Sequence, residues 1–281
     1  MVSENDHSEM LLDLKGKVGI ITGSARGIGA TTAKKLATLG AHIILADLNE
    51  SGCREVADQI AVIGGIAHVF SLDLNDDSQL QALTDFTVEK FSKIDFLINN
   101  ARPRFDFTNY YDIAKEWDLA INVLLKAPAF LSRHVIPKMI ENGGGCIINI
   151  SSTNAFFISQ QPASYHIAKS GLLQLTKYLA HEFGKKNIRV NAVCPGLVDI
   201  PNEERVLSSN PDFALAIDLA VPLQRAARDT EIADLISFLI SPLASYLNGE
   251  VITIDGGVGL SDHFNLARTV ISACHHPTKT L

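Results

Sequence analysis

The 281-residue chain is 47% hydrophobic and 20% charged, ordinary globular composition with enough length for one large core. Its net charge of −7 and the lack of a Lys/Arg stripe argue against a nucleic-acid partner. Residues 1–9 are polar and carry acids, unlike a signal peptide, and no uninterrupted apolar run approaches the length of a bilayer span. The scattered Cys53, Cys146, Cys194 and Cys274 fit neither a disulfide framework nor a zinc site, so a reducing cytoplasm, no membrane and no metal are expected.

No linker, charge block or internal repeat divides the chain. One domain is therefore expected over 13–258, between a flexible arm at 1–12 and an extension at 259–281. Residues 17–22 form a short β-like run ending in a Gly-rich turn, and 31–39 has helical spacing that Gly40 stops. A strand at 41–46 closes on Asp47. Helix 50–63, strand 66–71, helix 78–91 and strand 94–98 follow. A long helical pattern covers 114–141, and Pro128 within it frees the carbonyl of Leu124, which predicts a bend. Strand 146–151, helix 164–183, strand 188–193, helix 231–240 and strand 251–254 complete the series. The strands are short, rich in Ile and Val and apolar on both faces, as in buried parallel strands. The alternation predicts an α/β fold, a Rossmann-type doubly wound parallel sheet with its ligands at the carboxyl ends of the strands.

The first strand runs into Thr22-Gly23-Ser24-Ala25-Arg26-Gly27-Ile28-Gly29. Gly23 can turn sharply, and Gly27 and Gly29 let backbone and helix approach a pyrophosphate at the positive end of the next helix. Alone, such a turn is also what any tight strand-helix connection looks like. Asp47 closes the second strand about 20 residues on, where a carboxylate would accept from both adenosine ribose hydroxyls and repel a 2′-phosphate. This favours NAD over NADP, although Arg26 could meet a phosphate. Asp73, after the third strand, either contacts adenine or caps a helix.

The richest stretch is Ile150-Ser151-Ser152, then Tyr165-His166-Ile167-Ala168-Lys169. Tyr165 and Lys169 share a helix face. An ammonium beside a phenol favours the phenolate, turning a poor base into a useful one. Ser152 ends its strand just before the loop into that helix, so its hydroxyl could hold a substrate oxygen against the phenol. A lone Tyr-x-x-x-Lys is usually a surface pair; its company here makes it a catalytic candidate.

Taken together, these motifs resemble the short, one-domain branch of the short-chain dehydrogenase/reductase family over residues 12–258. Thr22 to Gly29 matches that family's glycine turn, and Asn99-Asn100-Ala101 its segment after the fourth strand. Asn122 matches its helix asparagine, and Ser152, Tyr165 and Lys169 its catalytic residues. Pro195-Gly196 and Asp255-Gly256-Gly257 match its two later motifs. The resemblance implies that Lys169 also binds the nicotinamide ribose, that Asn122 holds a water in a proton relay, that Asn100 packs by the cofactor, and that 198–223 forms a substrate lid. It also implies a homotetramer. The expected cofactor contacts are Gly23, Ser24, Arg26, Gly27, Ile28, Gly29, Asp47, Leu48, Asp73, Leu74, Asn100, Ala101, Tyr165, Lys169, Pro195, Gly196 and Val198.

The chain departs from the family at Arg102, where glycine is usual, and at Ile200, where a threonine often contacts the nicotinamide amide. Arg102 and Arg104 either meet an acidic substrate or reach solvent. Arg102, Phe105, Asn154, Phe156 and Phe157, with Phe107 and Ile158, are the candidate substrate walls. Aromatics on two loops favour a cyclic or otherwise bulky apolar secondary alcohol or ketone. Phe264, Leu266, Val270 and Ile271 give the tail some helical spacing, and Cys274-His275-His276 lacks chelate spacing. The function expected is NAD-dependent hydride transfer on such a small-molecule substrate. The alternative is a catalytically silent NAD-binding regulator of the same fold; no Gly-x-Ser-x-Gly elbow supports a serine hydrolase.

Overall fold

A computed structural model describes residues 12–105, 113–200 and 210–275. Seven parallel strands form the central sheet in the order β3-β2-β1-β4-β5-β6-β9. They are β1 (Val18–Thr22), β2 (His42–Asp47), β3 (Ile66–Ser71), β4 (Phe96–Asn99), β5 (Gly145–Ile150), β6 (Ile188–Pro195) and β9 (Val251–Ile254). Successive side chains of a strand point to opposite faces, and both faces here are covered. Ile21, Ile43, Leu45, Phe96, Ile98 and Ile148 pack in one layer with α1 (Gly27–Thr38), α2 (Glu50–Val62) and α8 (Asp229–Ile240). Ile20, Ile44, Leu97 and Ile147 pack in the other with α3 (Asp77–Phe91), α5 (Ala127–Glu141) and α6 (Ala163–Phe183). Burying each such Ile or Leu contributes roughly 1.5–3 kcal/mol, which explains why the strands carry no polar face.

The expected elements are found with small shifts at their ends. Asn49 caps α2 by accepting from the Gly52 N–H, and Asp76 caps α3 by accepting from the Ser78 N–H. The capping alternative for Asp73 is thus filled by Asp76 instead. Arg26, just before α1, gives the helix no side-chain cap, so its first-turn N–H groups keep their pull on an anion.

One expectation along 114–141 is corrected. The predicted bend is a π turn, Asn122–Lys126, between α4 (Ala114–Ile121) and α5. The Ala127 N–H reaches back to the Asn122 carbonyl, the longer bond of a π turn. Pro128, without an N–H, follows as the second residue of α5, where the helix needs none. Residues Glu116–Glu141 form a helix long and apolar enough, by length and composition, to cross a membrane, although Lys126, Arg133 and Lys138 interrupt its apolar run as expected. Half of its most apolar 18-residue stretch is buried, and Leu131, Val135, Ile136 and Met139 pack in the layer against the sheet.

Sequence periodicity missed α7 (Pro211–Ala220), whose cap is Asn210, and the short pair β7 (Val198–Asp199) and β8 (Ala227–Arg228). α7 buries only Ile217, so it shows no stripe. Helical spacing in the tail corresponds to α9 (His263–His275), which packs against α7.

Candidate active site

The strand order reverses between β1 and β4, which opens a crevice beyond their carboxyl ends. The turn after β1 is held from the β4 side. The Asn100 amide donates to the carbonyls of Thr22 (3.0 Å) and Gly23 (2.9 Å), and the Asn100 and Ala101 N–H groups donate to the Thr22 hydroxyl. Asn100 is thereby committed to the turn. Gly23 has φ +67°, and a Cβ on Gly29 would lie 2.1 Å from the Gly23 carbonyl oxygen, so the tight approach of α1 requires glycine. Ser24 is fully buried with its hydroxyl 3.6 Å from the Cys53 sulfur, facing the core, and Ile28 packs into the α1 layer. Arg26 and Gly27 (φ +55°) form the start of α1.

Asp47 is fixed by its neighbours. One carboxylate oxygen accepts from the Ala25 N–H (3.1 Å) and the other from the Asn49 N–H (2.9 Å), tying the end of β2 to the glycine turn. Leu48 beside it is 71% exposed. Asp73 is exposed and accepts from the Asn75 N–H, while Leu74 is half-buried.

Tyr165 and Lys169 lie in the first turns of α6 and are 6% and 3% exposed. Lys169 Nζ donates to the Ile150 carbonyl at 2.6 Å and lies 5.8 Å from the Tyr165 ring centre. Burial, with a smaller push from the Arg102 charge, lowers the Lys169 ammonium to about 7. Ser152 stands at the end of β5, where its oxygen accepts from the Asn154 N–H and leaves its own proton to donate. Asn154 is held in turn, since its carbonyl meets His166 Nδ1 at 2.9 Å. The other ring nitrogen, Nε2, accepts from the Ser159 N–H at 3.5 Å, and the ring packs edge-on to Tyr165.

Asn122 begins the π turn, and its amide donates to the Asn75 side chain at 2.7 Å. Behind Lys169 lies a small cavity of about 10 Å³, the space of one water, walled by Thr22, Asn99, Val123, Leu124, Ile150 and Lys169. Of its lining residues, Thr22, Asn99 and Lys169 carry the polar side chains that a water needs.

Phe105 meets the Tyr165 ring edge-on at 5.9 Å. Arg102 lies over the same ring, its guanidinium carbon 5.3 Å from the centre, and donates to the Gln161 side chain at 3.1 Å. The left-handed non-glycine residues among those described are Ser92, Asn187 and Gln224, so Arg102 replaces the usual glycine without backbone strain. Phe156 and Phe157 are 51% and 40% exposed on the loop after Ser152, in contact with each other. Gly196 sits against Asp255, whose carboxylate holds the Gly257 and Gly259 N–H groups. Pro195 ends β6, and Val198 opens β7. Ile200 is half-buried, and the Leu223 N–H bonds the Gly256 carbonyl, mooring the far end of the lid region. Phe107 and the lid residues 201–209 lie outside the described residues.

Several organising residues escaped sequence reasoning. His166 stands between Tyr165 and Lys169, where only its burial reveals a role. A buried chain runs from the Asn99 amide to Asn149 and from the Asn149 amide to Thr176, satisfying polar groups at the centre of the sheet. Asparagine in an Ile-rich strand, as in Ile147-Ile148-Asn149-Ile150, was a readable signal for it.

The model of the enoyl-(acyl carrier protein) reductase family matches residues 23–259. A 3-oxoacyl-(acyl-carrier-protein) reductase of Thermotoga maritima is 34% identical over 245 residues, covering 87% of this chain and 98% of that one. The structure of a 7α-hydroxysteroid dehydrogenase complexed with NADH and 7-oxo glycochenodeoxycholic acid superposes with a TM-score of 0.79 at 33% identity, covering 89% of this chain and 96% of that one. L-sorbose reductase from Gluconobacter frateurii, complexed with NADPH and L-sorbose, gives 0.83 at 29% identity, covering 90% and 100%. With the glycine turn, the Asn-Asn-Ala brace and the Ser152, Tyr165 and Lys169 set all at one sheet edge, the chain belongs to the short-chain dehydrogenase/reductase family of oxidoreductases.

Proposed function

We propose that this protein is an NAD-dependent dehydrogenase or reductase that interconverts a secondary alcohol and a ketone, with Tyr165 moving the proton. The observation that carries this reading is Tyr165 and Lys169 buried one helical turn apart beside the crevice of the strand-order switch. The residues fit a nicotinamide dinucleotide. The first turn of α1 is uncapped, Gly29 lets it approach the turn after β1, and Asp47 waits at the end of β2 for a ribose diol. When bound, the nicotinamide gives up a hydride in reduction and takes one in oxidation. Tyr165 supplies the proton to the substrate oxygen in reduction, and its phenolate removes the hydroxyl proton in oxidation. Ser152 donates to the same oxygen, stabilising the charge that grows there. Lys169 favours the phenolate and holds ribose hydroxyls. The water-sized cavity behind it, next to the π turn of Asn122, gives the proton a route onwards.

Asp47 supports NAD over NADP, because its fixed carboxylate would repel a 2′-phosphate. The exposed Phe156 and Phe157 support a substrate with a bulky apolar body. A homotetramer fits the exposed Ile167 and Tyr178 on α6, and a reducing cytoplasm fits the free, buried Cys53, Cys146 and Cys194. The test is Tyr165→Phe. Turnover of a panel of cyclic ketones with NADH should fall at least about a thousandfold, the scale of acid-base catalysis, with NADH binding unchanged. Wild-type rates in this variant would end the assignment.

A further inference from the structure

We propose that Arg102 is a specificity residue that selects substrates bearing a carboxylate next to the reacting carbonyl. The proposal rests on Tyr165 being the proton donor, and it adds the chemical class of the substrate.

Four features of Arg102 lead to this. Its guanidinium lies 5.3 Å from the centre of the Tyr165 ring, on the face of the residue that must touch the reacting oxygen. The side chain is tethered, since one terminal nitrogen donates to Gln161. That tether is a neutral amide, and no carboxylate among the described residues lies within ion-pair distance of Arg102. The backbone before it is anchored, because the Ala101 N–H is bonded to the Thr22 hydroxyl. An arginine that merely reached solvent would need neither the ring nor the tether.

The charge balance at the site points the same way. Arg102 stands over one side of the phenol and Lys169 near it, close enough for the Arg102 charge to depress the lysine, and no described carboxylate offsets Arg102. An anionic group on the substrate supplies the missing charge. A guanidinium with one donor occupied still offers others, and a planar carboxylate matches that fork better than a neutral ester can. Arg102 is exposed, so it can be met from the crevice without unburying anything. The exposed Phe156 and Phe157, on the same loop as Gln161, would take the apolar part of such a molecule.

Benzoylformate and its methyl ester are a matched pair with the same ketone and ring, one charged and one neutral. Reduction of each with NADH is compared in wild type, Arg102→Gln and Arg102→Lys, with dissociation constants from calorimetric titration into the enzyme–NAD+ complex, where no reaction occurs. Wild type should prefer the acid. Arg102→Gln should weaken binding and raise KM for the acid roughly 30-fold, the usual weight of a charge-assisted contact, and change the dissociation constant and KM of the ester less than about threefold. Arg102→Lys should recover part of the loss. NADH affinity and melting temperature, unchanged across the three, show that the fold is intact. Equal effects on acid and ester, or a wild-type preference for the ester in rate and in binding, would overturn the proposal while leaving the Tyr165 reaction standing. Failure of that reaction reads differently: neither compound is turned over, and Tyr165→Phe changes nothing.

Discussion

The Asn122 side chain donates to the Asn75 side chain at 2.7 Å, joining the π turn to the loop between β3 and α3. The bond fixes the π turn, whose carbonyl ladder is already irregular because the Ala127 N–H skips to Asn122. Asn75→Ala and Asn122→Ala should each cost stability, by about 1 kcal/mol for the lost hydrogen bond. The two should couple by at least about 0.5 kcal/mol in a double-mutant cycle read by urea unfolding. If Asn122 also serves catalysis, its variant should lower kcat more than the Asn75 variant does at equal stability. Additive stabilities would show that the pair contributes nothing to the turn.

Lys169 makes stability depend on pH in a direction that can be worked out. Burial lowers it to about 7 in the folded protein, against about 10.4 in the unfolded chain. Between those values the unfolded chain binds the proton more strongly, so stability rises with pH and the gain is lost as pH falls through about 7. The slope approaches about 1.4 kcal/mol per pH unit. The buried Cys53, Cys146 and Cys194 act the other way, since burial pushes their thiols up and their contribution is lost once unfolded cysteine ionises above about pH 8.5. The clean window is therefore about pH 7 to 8.5. Apoenzyme unfolded chemically across it should gain stability, and Lys169→Met should remove the slope. A parallel slope in the variant would place the titration on another group.

Asp47 is expected to set the cofactor preference. Its two oxygens are held by Ala25 and Asn49 N–H groups, so the carboxylate stands in one place rather than sweeping the surface. Asp47→Ser should lower kcat/KM with NAD about 10- to 100-fold, the weight of hydrogen bonds to a charged group, and raise it with NADP. A wild type that already prefers NADP in steady-state kinetics would assign the ribose pocket to Arg26 instead.

Much of this was legible in residue order, and what was not has identifiable causes. The central strands announced themselves because both faces are buried, so Ile20-Ile21 and Ile43-Ile44-Leu45 leave no polar position to blur the run. Gly23 and Gly29 were readable because no other residue fits where a Cβ would strike backbone. The π turn was not, because Pro128 fixes only that the helix is disturbed, and the bond that ties the turn to the loop after β3 joins Asn122 to Asn75, far apart in the sequence. α7 hid because its apolar residues face several ways and only Ile217 is buried. Arg102 could be marked as a departure, but its place over the Tyr165 ring depends on Gln161, far along the chain.

His166 is expected to act through Ser152 although it touches no reacting atom. Its ring bridges the Asn154 carbonyl and the Ser159 N–H, and the Asn154 N–H in turn holds the Ser152 oxygen. It is a positioning residue, fixed by burial and by its edge contact with Tyr165. Replacing it by alanine should cost about 2 kcal/mol in stability, from two lost hydrogen bonds and the void left by the ring. A purely structural role would stop there. Positioning adds a kinetic signature: His166→Ala should lower kcat at temperatures where the protein remains folded. Combined with Ser152→Ala it should lower kcat little further, because a misplaced hydroxyl and an absent one are alike to the substrate. Asparagine at the same position, which keeps a donor and an acceptor, should recover part of the loss. Fully multiplicative effects of the His166 and Ser152 variants on kcat would show that the ring supports the fold and leaves the serine alone.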